Sequence, residues 1–136
     1  MSELNHQRII INDFKKVFPG AFAIKMSHRF MSGIPDLLLK APGHEVMVVE
    51  MKVAKYRKTG YVPIETTLLQ RQTMIAMEKA GLRCEVWVVV VDPSGTYMLR
   101  CPPEATRVEC TLEFLTRKER GQPWPVDQFV NNPVRK

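Results

Sequence analysis

With 136 residues, 45% of them hydrophobic and 25% charged, the chain has the make-up of one folded domain that can build a core without disulfide staples. Its formal charge of +6 points to an anionic partner, and nucleic acid is the commonest one. Three cysteines (Cys84, Cys101, Cys110) with no CxxC pair and three scattered histidines (His6, His28, His44) argue against a disulfide framework and a structural zinc site.

Taken in order, Leu4 to Val17 predicts an amphipathic helix. Ile9, Ile10, Phe14 and Val17 recur at helical spacing, with Asn5, Gln7, Asn12 and Lys16 opposite, Ser2 as N-cap and Pro19-Gly20 as the stop. Ala21 to Met26 is apolar enough for a first strand. Ser27 to Asp36 is irregular, and Leu37-Leu38-Leu39 resumes as a short strand. The turn Ala41-Pro42-Gly43-His44-Glu45 makes Asp36–Lys40 and Val46–Val53 an antiparallel hairpin. A basic loop runs from Ala54 to Pro63. Thr66 or Thr67 caps a second helix that ends at Ala80 before Gly81, with Leu69, Ile75, Ala76 and Ala80 as its core stripe.

Cys84–Val91 predicts a buried strand, followed by the turn Asp92-Pro93-Ser94-Gly95 and a strand over Thr96–Arg100. Cys101-Pro102-Pro103 halts the sheet. Beyond it, a short helix is expected around Thr111–Glu119, then a proline-punctuated tail in which Trp124 packs on the core or on a partner. Helix, three strands, helix, two strands is a mixed α/β order. The expected organisation is one domain over 1–136, with a core over about 3–101 and an extension over 102–136. The N-terminus lacks a signal-peptide layout and no run has the length of a membrane span, so a soluble cytoplasmic or nucleoid-associated protein is expected, with no membrane partner.

The informative strand is Val46-Met47-Val48-Val49-Glu50-Met51-Lys52-Val53. It is apolar enough to be buried on both faces, yet Glu50 and Lys52 share one face because strand side chains alternate. Burying those charges costs several kcal/mol per ion unless each finds a partner. The hairpin sets Asp36 at the neighbouring strand end. Two carboxylates about 4 Å apart repel by roughly 4 kcal/mol at an effective dielectric near 20, so one is protonated or a cation lies between them. Hard oxygen ligands without sulfur or imidazole favour Mg²⁺ or Mn²⁺. With Lys52 alongside, the set suits phosphodiester hydrolysis.

Gly33-Ile34-Pro35-Asp36, then Glu50-Met51-Lys52 after a hairpin, then Gln70 in a helix ending at Ala80-Gly81, resembles the PD-(D/E)xK nuclease superfamily. It looks most like the VRR-NUC and Holliday-junction-resolvase-like members. The likeness covers roughly residues 3–91. It implies a restriction-endonuclease-like mixed sheet, an αβββαβ core flanked by helices. It also implies a Mg²⁺-dependent endonuclease cutting branched or structured DNA. Asp36, Glu50 and the Met51 carbonyl are then the metal ligands, with Glu3 as a further candidate. Lys52 is the catalytic lysine, and Gln70, with Gln72 as the alternative, helps shape the site.

Lys55, Arg57 and Lys58 in the basic loop, with His28 and Arg29 before Gly33, are candidate DNA contacts or merely solvated residues. Arg117-Lys118-Glu119-Arg120 and Arg135-Lys136 read as solubility. A homodimer would present two active sites to two strands. The rival expectations are a non-catalytic nucleic-acid-binding module with the same fold, and a nuclease acting on RNA.

Overall fold

The structure is a computed structural model that describes residues 2–26, 33–58 and 60–134. In chain order it comprises helix α1 (Glu3–Val17), strands β1 (Phe22–Lys25), β2 (Leu37–Lys40), β3 (Met47–Lys55) and β4 (Tyr61–Pro63), and helix α2 (Leu68–Lys79). Strands β5 (Arg83–Asp92), β6 (Gly95–Cys101) and β7 (Arg107–Glu109) follow, then a 3₁₀ turn (Leu112–Phe114), β8 (Thr116–Arg117) and helix α3 (Val126–Asn131). Six strands form the main sheet in the order β1-β2-β3-β5-β6-β8, while β4 and β7 pair separately as a two-stranded ribbon. β3 and β5 run parallel, with α2 as their crossover, and the other main-sheet pairs are antiparallel.

The alternation of side chains divides the core into two layers. Met47, Val49 and Met51 of β3, with Trp87 and Val89 of β5, face Ile10 and Phe14 of α1 and Phe129 and Val130 of α3. Val48 of β3, with Val86, Val88 and Val90, faces Met74 of α2 and Val62 of β4. Glu50 and Lys52 alternate with Met51 and therefore belong to the α2 side. β3 and β5 have cover on both faces, which is why they read as near-continuous apolar runs.

The expected helices and strands are all present in their order from α1 to β6, with one unexpected strand, β4, added between β3 and α2, and Ser2 caps α1 through Asn5 N–H. Four local expectations change. Gln7 lies on the buried face of α1 at 4% exposure, because positions 7, 10, 14 and 17 keep helical spacing as well as the apolar set does. On α2 the inward face carries Gln70 and Met74, while Leu69 is 48% exposed, so the stripe of Leu69, Ile75, Ala76 and Ala80 is not the core face. The basic loop is shorter than expected, since β3 runs on to Lys55 and Tyr61–Pro63 pairs with β7. The expected helix around Thr111–Glu119 is a 3₁₀ turn followed by β8, a sixth strand that extends the sheet past Cys101, and the proline-punctuated tail folds as α3.

Trp124 packs into the core at 1% exposure, and its backbone N–H donates to the buried Asp13 carboxylate at 2.8 Å. Arg83 and Arg100 fasten α3 to the sheet. Arg83 donates to the Val130 and Phe129 carbonyls at 2.7 and 2.6 Å, and Arg100 to those of Phe129 and Asn132 at 3.1 and 2.9 Å. Two cations thus meet the negative end of a helix whose last carbonyls lack intrahelical partners. Among the described residues no helix is long and apolar enough to cross a membrane.

Candidate active site

β2 and β3 stop pairing at Leu37 and Val49, and the next residue on each strand is Asp36 or Glu50. Among the described residues no strand pairs with β3 on this flank beyond Val49, while β5 pairs with its other edge as far as Lys55. The described residues thus leave a gap in the pairing beside Asp36. The Asp36 carboxylate fills part of it, Oδ2 accepting from Met51 N–H at 3.0 Å, while its backbone carbonyl accepts from Met26 N–H at 2.7 Å. In an extended strand the N–H and C=O of one residue point to the same side, so the Met51 carbonyl faces this flank too.

Glu50 is 2% exposed. Its Oε2 accepts from Gln70 Nε2 at 3.1 Å and lies 3.7 Å from Lys52 Nζ, an ion pair without a close hydrogen bond. Its Oε1 is buried without a donor. Burial pushes the Glu50 carboxyl up to about 8, and the Asp36 charge, a shared hydrogen bond with Asp36 and the Glu3 charge add to the rise. Lys52 opposes these but does not cancel them.

Gln70 is oriented by the start of its own helix. Thr67 Oγ1 accepts from Gln70 N–H at 3.1 Å, and Gln70 Oε1 accepts from Thr67 N–H at 2.9 Å, a complete capping box. With its oxygen committed to the cap, the amide nitrogen is left for Glu50. Gln72 is exposed. Gly33 opens the segment leading to Asp36 with φ +86°, and a Cβ there would meet Thr73 Oγ1 at 2.8 Å and Leu69 Cγ at 2.9 Å. Only glycine lets α2 pass this close to the Asp36 segment.

The expected residues therefore gather in part. Asp36, Glu50, Lys52 and Gln70 meet at the strand end. Glu3 lines a cleft of about 260 Å³ with Lys52, Val53, Lys55, Arg57 and Glu65, and its charge reaches Glu50. Among the described residues, no group of three or more His, Cys, Asp or Glu side chains is placed to hold a metal ion. The side-chain offer is the Asp36–Glu50 pair. That pair still fits a hard divalent cation, because among the described residues no N–H group reaches the buried Glu50 Oε1 and the two carboxylates repel when both are charged. Lys58 is exposed but does not line the cleft. His28 and Arg29 lie outside the described residues. Glu65 and Pro63, which sequence reasoning did not single out, also border the cleft, and only the course of β4 places them there.

No family model matches the sequence, and no curated protein is similar to it in sequence. Among solved structures, that of Hjc, a Holliday junction resolvase from the archaeal hyperthermophile Archaeoglobus fulgidus, is similar with a TM-score of 0.55. The identity is 11%, over 83% of this chain and 92% of that one. At that identity the likeness is one of architecture: this chain has the mixed α/β fold of the archaeal resolvase, a central mixed sheet flanked by helices.

Proposed function

We propose that the protein is a metal-dependent DNA endonuclease of the PD-(D/E)xK type, VRR-NUC-like in its motifs, that hydrolyses phosphodiester bonds in branched or structured DNA. The observation that carries this reading is the meeting of Asp36, Glu50, Lys52 and Gln70 where β2 leaves β3. The resolvase-like fold supports it, and so does the net charge of +6.

The division of labour follows from the contacts. Asp36, Glu50 and the Met51 carbonyl would hold Mg²⁺ or Mn²⁺, with Glu3 close enough to contribute charge. When bound, the cation supplies Lewis acidity, drawing charge from the phosphoryl oxygen and making a nearby water easier to deprotonate. Gln70 fixes the rotamer of Glu50 so that its second oxygen stays turned to the pair. Lys52 lies on the substrate side, at the cleft, where its ammonium stabilises the charge that builds on the phosphoryl group and orients the attacking water. Lys55 and Arg57 line the same cleft and would hold the strand by its phosphates. Two strands of a junction call for two such sites, which makes a homodimer the acting form.

The test is a cleavage panel of supercoiled, four-way-junction and single-stranded DNA, plus RNA of the same sequence, each with Mg²⁺, Mn²⁺ or chelator. Metal-dependent cleavage, fastest on the junction, is expected. Binding without cleavage under every metal would leave only a binding module, and faster cleavage of RNA would move the substrate class.

A further inference from the structure

We infer that the β4–β7 ribbon is a second nucleic-acid contact, in which Arg107, seated over the Tyr61 ring, takes a backbone phosphate of the strand leaving the cleft. The identity of the ligand rests on the nuclease reading, but the contact itself rests on other residues. In the ribbon, Tyr61 pairs with Glu109, Val62 with Val108 and Pro63 with Arg107. Val62 points inward and is fully buried, so alternation turns Tyr61, Pro63 and Arg107 outward. Pro63 lines the cleft that holds Lys52, Lys55 and Arg57, which puts its cross-strand partner Arg107 at the rim. The row of cations leading away from Glu50 therefore continues onto residues from the far end of the chain.

Arg107 also differs from four other arginines in what holds it. Arg71, Arg83, Arg100 and Arg117 spend their N–H groups on protein oxygens. Arg107 is exposed, and its guanidinium carbon lies 3.9 Å from the centre of the Tyr61 ring. Among the described residues no carboxylate forms an ion pair with it. A guanidinium held over a ring by cation–π attraction is restrained without spending its N–H donors. A pre-set fork with unused N–H groups matches the geometry of a phosphate.

The experiment titrates fluorescent junction DNA with the full chain between about 0.05 and 0.3 M salt, with Ca²⁺ replacing Mg²⁺ to fill the oxygen site. Arg107→Ala should flatten the dependence of log affinity on log salt by about one unit and weaken binding about eightfold at 0.1 M, the effect of one lost counterion release. Arg107→Lys should restore the slope. Melting temperatures accompany each variant, and Arg107→Gln, which keeps a planar group over the ring, replaces the alanine variant if that one does not fold. Wild-type affinity and slope in the charge-removing variant would overturn the inference, as would an Arg107→Lys variant whose slope stays as flat as that variant's, since a cation would then be present at this position without meeting a phosphate. Cleavage by the wild-type protein is scored separately. Its absence would count against the nuclease reading, and an unchanged slope would count against the ribbon alone.

Discussion

Glu50 holds its proton in the folded chain up to about 8 and sheds it near the ordinary 4.5 once unfolded, since burial and Asp36 both penalise its charged form. The sign of the linkage follows. Below about 4.5 both states are protonated and the folded chain has the full benefit of the neutral carboxyl. As pH rises toward 8 the unfolded state releases its proton first, and that stability is lost. Metal-free protein should therefore melt at progressively lower temperature across this window, and Glu50→Gln should remove most of the decline. A variant that declines as steeply as the wild type would place the titration on another group. Cation binding requires the carboxylate to give up its proton, so affinity for Mg²⁺ should rise over the same range.

At the scale of elements, the site depends on how α2 and the Asp36 segment approach each other. The capping box that starts α2 also aims Gln70, and Gly33 provides the clearance beside Thr73 and Leu69. Gly33→Ala should cost about 1–3 kcal/mol through its left-handed φ and the close contacts, and should slow cleavage by displacing Asp36. Thermal melts and single-turnover cleavage read both effects, and a variant with native values in each would show that the clearance is not needed.

This scale also explains what was legible in the sequence. β2, β3 and β5 are near-continuous apolar runs bounded by clear turn residues, so the hairpin was legible and Asp36, Glu50 and Lys52 could be set together from the sequence. The inner face of α2 could not be read from apolar spacing, because its key inward residue is the polar Gln70. β4 and β7 are three residues each and find each other across more than forty positions, and α3 begins after Pro125 without a side-chain cap, so neither leaves a local signal.

At the scale of the whole molecule, a buried ionic network joins the sheet to the C-terminal segment. Glu85, 2% exposed, accepts from Arg83 Nε at 2.9 Å, Arg100 Nη1 at 3.1 Å and Trp87 Nε1 at 2.9 Å, and the two arginines bind the end of α3. Glu85→Ala would leave two cations without their anion and should cost about 3–5 kcal/mol. Chemical denaturation reads that loss, while tryptophan fluorescence follows the release of α3 from Trp87. A loss under about 1 kcal/mol would show that packing of Phe129 and Trp124 alone holds the segment.

The central claim is that Asp36 and Glu50 are set against each other to hold a cation for phosphodiester cleavage. The most direct measurement compares wild type and Asp36→Asn at pH 8 for Mg²⁺-dependent junction cleavage and for melting temperature without metal. The account predicts that cleavage is abolished while the melting temperature is unchanged or higher, because a repulsive charge has been removed. Retained cleavage, or a variant that loses its fold together with its activity, would contradict it.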